Sequence, residues 1–104
     1  MNKIFCDRCG DIIKKPSGGY VQWLTDWETN EPIGVQVVHH INSGKQCLIE
    51  TSSADFMLHD LSLEDFVDMN VGIKTIIIQL RHGRMSYEDG LSLIEKLYLN
   101  ESNT

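Results

Sequence analysis

A chain of 104 residues with 41% apolar side chains carries enough hydrophobic material for one domain and too little for two separate cores. Its formal charge is −6, and nine acidic against four basic side chains fall in residues 51–104, which disfavours loose attachment to a phosphate backbone. The longest strongly apolar run, Ile76-Ile77-Ile78, is far short of the roughly 20 residues that cross a bilayer, so no membrane role is expected.

The chain opens with Met1-Asn2-Lys3-Ile4-Phe5, which has neither an apolar signal core nor a small-residue cleavage site; the expected location is cytoplasmic. Residues 3–10 predict a short strand entering a turn, with Gly10 supplying the positive φ that a knuckle around Cys6 and Cys9 needs. Lys14-Lys15-Pro16-Ser17-Gly18-Gly19 reads as a loop. The aromatic and β-branched segments Tyr20–Leu24 and Gly34–His40 predict an antiparallel hairpin, joined by a polar connection through Thr29–Pro32 too long to set the register.

The period changes in the second half. Ser62-Leu63-Glu64-Asp65 resembles a capping box with Asp for the usual Glu, and opens a short helix with Leu63, Phe66 and Val67 on one face. A break is expected at Asn70-Val71-Gly72. After it, Ile73, Ile76, Ile77 and Leu80 recur at helical spacing, up to a stop at His82-Gly83. Ser86-Tyr87-Glu88-Asp89 repeats the cap, and Leu91, Ile94, Leu97 and Tyr98 form a second amphipathic stripe. Residues 100–104 are polar and expected to fray.

Three cysteines and a histidine pair carry the chemistry: Cys6-x2-Cys9, His39-His40 and Cys47. Zinc takes four tetrahedral ligands from thiolate sulfur and imidazole nitrogen, and a Cys-x2-Cys turn aims two thiolates at one ion. Cys47 with one of the histidines completes the set, provided the chain bends at Ser43-Gly44. Strand alternation puts His39 with Val35 and Val37, and His40 with Gln36 and Val38. Val35 and Val37 look like the core face, which would turn His39 inward, but the last residues of a strand often leave the sheet plane. His40 is therefore favoured as the fourth ligand, with His39 as the alternative.

Other chemistries fit less well. A thioredoxin-like redox pair needs a helix after the second cysteine, and Asp11–Pro16 is too short for one. Neither a His-x-Glu preceding Cys-x2-Cys nor a His-Glu-x2-His occurs, and a Cys47-His40 hydrolase pair lacks an orienting third group, so no enzyme is expected. His59 and His82 have no partner at ligand spacing and read as surface or cap residues. Trp23 is expected between sheet and helices and Trp27 at the strand end; the alternative is a partner-binding patch formed with Tyr20. A base-stacking surface would want interleaved Arg or Lys, where Asp26, Glu28 and Glu31 stand instead.

Cys6-Asp7-Arg8-Cys9-Gly10, Gly19–Leu24, Val37-Val38-His39-His40, Cys47 and Leu63-Glu64-Asp65-Phe66 together resemble a group of small zinc-ribbon-like proteins of Gram-positive bacteria and their prophages. The resemblance spans residues 4–98 and implies a metal site and an intracellular, mobile-element origin, but no activity or catalytic residue. The expected fold is α+β in a single domain: a zinc knuckle with a small antiparallel sheet in residues 1–50, packed by two or three helices from residues 58–99. The expected function is a zinc-stabilised protein-interaction or regulatory module whose partner is another protein. The alternative is a zinc-ribbon nucleic-acid-binding transcription regulator. Oligomeric state is not legible.

Overall fold

The computed structural model describes residues 1–49 and 55–99; the tail expected to fray lies outside them. The fold is α+β, a three-stranded antiparallel sheet with two helices. The predicted hairpin forms as β1 (Gly19–Asp26) and β2 (Pro32–His39), with Gly19 opposite His39, Val21 opposite Val37, and a bulge between Trp23 and Leu24. A third strand, β3 (Phe56–Ser62), pairs with the other edge of β1 in the order β2-β1-β3. It occupies the start of the stretch assigned to helices from sequence. Phe56-Met57-Leu58 carries no clean alternation, and pairing with β1 decides the conformation.

β1 is central and buried on both faces, which explains its near-continuous burial. On one face Val21 and Trp23 pack into the core, and the Trp23 indole N–H donates to the Arg84 carbonyl at 2.6 Å, as expected for a tryptophan between sheet and helices. On the other, Gln22 is 1% exposed and its Oε1 accepts from Ile49 N at 2.7 Å.

Ser62 caps as expected, its side chain accepting from Glu64 N, but the structure that follows is only a 3-10 turn, Leu63–Phe66. Asp68 then caps a new helix, α1 (Met69–Arg81), so the expected break at Asn70-Val71-Gly72 lies inside a continuous first turn. Gly72 is there for packing: a β-carbon on it would collide with the Tyr98 hydroxyl, which donates to the Phe66 carbonyl at 2.7 Å. α1 ends at Arg81, and Gly83 follows at φ 69°. Ser86 caps α2 (Tyr87–Ile94), which continues as a π-helical turn over Glu95–Leu99. Ile76, Leu93 and Leu97 join Leu63, Phe66 and the sheet in one core.

The first residues are stitched to this helical end. Asn2 N donates to Leu97 O at 2.7 Å and its side-chain amide to Lys96 O at 3.0 Å, satisfying carbonyls that a helix terminus leaves open. The strand expected over residues 3–10 reduces to a single bridge, Phe5 with Ile12, across the knuckle. Among the described residues no helix is long and apolar enough to cross a membrane.

Candidate metal centre

The knuckle is built by backbone bonds. Cys6 N donates to Asp11 O at 2.8 Å and Gly10 N to Cys6 O at 2.9 Å, closing a turn in which Gly10 takes φ 82°. Within the turn Arg8 N and Cys9 N both point at Cys6 Sγ, at 3.3 and 3.5 Å. Asp7, between the two cysteines, docks the knuckle on the edge of β2: its N–H donates to Val37 O at 2.8 Å, and its Oδ2 accepts from Val37 N at 2.7 Å. This blunts part of an exposed edge and brings the cysteines to the end of β2.

His39 is the last residue of β2 and 3% exposed. Its Nε2 lies 3.1 Å from the Ile12 carbonyl, which can only accept, so that nitrogen carries the proton and Nδ1 keeps its lone pair. Nδ1 lies 3.4 Å from Cys9 Sγ and 3.7 Å from Cys47 Sγ. Cys47 arrives by the expected bend, a 3-10 turn over Ile41–Ser43 followed by Gly44 at φ 83°.

Cys6, Cys9, His39 and Cys47 thus offer four ligand atoms within 4.8 Å of one another, and these residues could hold one metal ion. A tetrahedral ion with metal–sulfur bonds of about 2.3 Å and a metal–nitrogen bond of about 2 Å separates sulfur from nitrogen by roughly 3.6 Å. The 3.4 and 3.7 Å separations from His39 bracket that spacing.

The fourth member is His39, where the sequence favoured His40. His40 N donates to Gly18 O at 2.7 Å, which holds the strand end to its neighbour, so alternation persists and turns His39 inward with Val35 and Val37. His40 points away and both its nitrogens are engaged. Nδ1 accepts from Asn42 N at 2.9 Å, and Nε2 meets the Tyr20 hydroxyl at 2.7 Å.

No family model, no curated protein and no solved structure matches this chain.

The electrostatics of the cluster suit a cation. Burial pushes the Cys6 thiol up, but the backbone N–H groups of Cys9 and Arg8, with the backbone of His39, outweigh it and bring the thiol down to about 6. Burial pushes Cys47 up to about 11, reinforced by the neighbouring Cys6 and Cys9. The fold thus favours ionisation at Cys6 and opposes it at Cys47, and a cation among the sulfurs would favour the thiolate at both.

The nearby carboxylates are engaged elsewhere: Asp7 with Val37 N and the Lys96 ammonium, Asp11 with the Lys45 ammonium. Sequence reasoning missed the Ile12 carbonyl and Asp7, which orient the ligands. A backbone carbonyl has no signature, and Asp7 inside Cys-x2-Cys reads as an ordinary turn residue. His59, expected at the surface, stacks on Trp23 with ring centroids 5.3 Å apart, and its Nε2 lies 2.8 Å from Thr25 Oγ1. His82 caps α1. The Trp27 side chain is exposed just past β1, while its backbone N–H donates to Asp55 O at 2.9 Å.

Proposed function

We propose that this chain is a zinc-stabilised, non-catalytic module of the cytoplasm that works by docking on another protein. The observation that carries the metal reading is His39: a buried imidazole with its proton committed to a carbonyl and its lone pair aimed at two cysteine sulfurs. Three sulfurs and one imidazole favour zinc over calcium or magnesium, which take oxygen. Four protein ligands fill a tetrahedral shell and leave no position for substrate, which supports a structural role. Cysteines outside any disulfide, as metal-ligating thiolates must be, suit a reducing compartment.

Docking is supported by the apolar residues exposed on and beside α1, Val67, Val71, Ile77 and Ile78. Metal analysis of the purified protein is expected to give one zinc per chain, and a metal-free preparation that keeps the same fold would refute the metal reading. Affinity capture with the zinc-loaded chain is expected to retain a stoichiometric partner that a Val71→Asp, Ile78→Asp variant releases. Capture indifferent to that variant would refute this docking face.

A further inference from the structure

A cavity of about 460 Å³ opens beside the metal centre, between the segment that leaves the knuckle and the turn that leads to Cys47. Lys14, Lys15 and Lys45 line it together with the hydroxyl-bearing Ser17 and Ser43, and no carboxylate does. The chain has fifteen acidic and only nine basic side chains, so three lysines around one cavity are a marked segregation of charge. Lys45 is paired to Asp11, but among the described residues Lys14 and Lys15 form no ion pair and the Ser17 hydroxyl has no partner. Ile12 and Ile13 add an apolar wall.

We propose that this cavity binds a small phosphorylated organic molecule, the phosphate meeting the lysines and hydroxyls and the organic part lying on the isoleucines. Its volume falls in the usual range of roughly 300–1,000 Å³ for small-molecule sites, and a few polar groups over an apolar wall are the usual composition. Lysine ammoniums act as mobile point charges, suited to a phosphate dianion. The walls are tied together without the ligand: the Asn42 side-chain amide donates to Ser17 O at 3.2 Å, and His39 borders the cavity while bonding Ile12 O. His39 and Cys47 flank one wall in sequence and Cys9 precedes the other, so the proposal rests on the zinc reading for the rigidity of the site.

The test uses the full zinc-loaded chain, its metal content measured first, titrated with adenosine monophosphate at constant ionic strength and followed by amide NMR shifts. Adenosine and inorganic phosphate serve as comparison ligands. Adenosine monophosphate is expected to shift amides in residues 12–18 and 39–45, with adenosine far weaker. Lys14→Gln with Lys15→Gln is expected to weaken binding roughly tenfold or more with zinc content unchanged, and Lys15→Glu alone to weaken it in the same direction. The proposal is overturned if no shifts arise at millimolar ligand, if adenosine shifts the same amides equally, or if the lysine variants bind as well as the parent. It is also overturned if a 5′-phosphorylated oligonucleotide binds where the mononucleotide does not. Failure on a chain carrying its zinc removes the pocket alone, whereas a chain without zinc removes the metal centre.

Discussion

His39 and His40 are adjacent and differ in which nitrogen is free. His39 keeps an unprotonated Nδ1 facing sulfur, while both nitrogens of His40 are bound to Asn42 and Tyr20. His39→Ala is expected to weaken zinc binding by more than the roughly 10–100-fold typical of losing an orienting partner, since it deletes a ligand. His40→Ala is expected to leave zinc stoichiometry intact and to cost about 1 kcal/mol in lost hydrogen bonds. Chelator competition and thermal melts of the two variants check this, and the reverse order would contradict the assignment.

His59 supplies a pH dependence whose sign follows from its burial. Burial, then the Arg84 charge, lowers its pKa from the ordinary value of 6.5, with Asp60 opposing. The folded state thus binds the proton more weakly than the unfolded state. The stability linked to this residue is complete above 6.5 and is lost as pH falls through the lower folded value. His59→Gln is expected to flatten the decline in melting temperature between about pH 7 and about pH 5 at saturating zinc. Parallel curves for parent and variant would contradict the linkage.

The helices show how a local signal can be right in type and wrong in boundary. Serine caps were legible at Ser62 and Ser86, and both side chains accept backbone N–H groups in the structure. Ser86→Ala is expected to cost about 1 kcal/mol, measured by denaturant unfolding. Gly72 reads as a helix breaker by propensity, yet it lies inside α1 because Tyr98 and the Phe66 backbone leave no room for a side chain. Gly72→Ala is expected to destabilise by roughly 1–3 kcal/mol despite alanine's better propensity. Tyr98→Phe removes the obstructing hydroxyl together with its bond to Phe66 O, so the double variant should cost less than the sum of the singles. An additive cycle would count against this packing. β3 was illegible because Phe56-Met57-Leu58 has neither the alternation of a half-buried strand nor a helical stripe.

The Cys/His cluster and the helices belong to one mechanical unit. Asn2 holds the carbonyls of Lys96 and Leu97, Asp7 joins Lys96 to the β2 edge, and Trp23 ties the sheet to Arg84. Structural zinc in small peptides contributes roughly 10–16 kcal/mol, comparable with the roughly 5–15 kcal/mol of net stability of a whole domain. Chelation, or Cys6→Ser with Cys9→Ser, is expected to raise amide exchange first across residues 5–13 and 39–47, with Val37 because Asp7 holds its N–H, and to lower the melting temperature, with Val21 of the central strand exchanging last. Exchange unaltered by chelation would mean the fold does not depend on an ion.

The amino-acid sequence by itself determined what depends on near neighbours: the Cys-x2-Cys knuckle with its glycine, the β1–β2 hairpin, two amphipathic helices and the caps that start them, hence an α+β chain with a Cys/His cluster. Only the tertiary structure decided which histidine joins the cysteines, that residues 56–62 pair as a strand, and that Gly72 packs where it was expected to break a helix. The reason is range. Capping and alternation act over a turn or two residues, whereas His39 is oriented by a carbonyl at Ile12 and Gly72 is required by a hydroxyl at Tyr98, groups brought close only once the chain has folded.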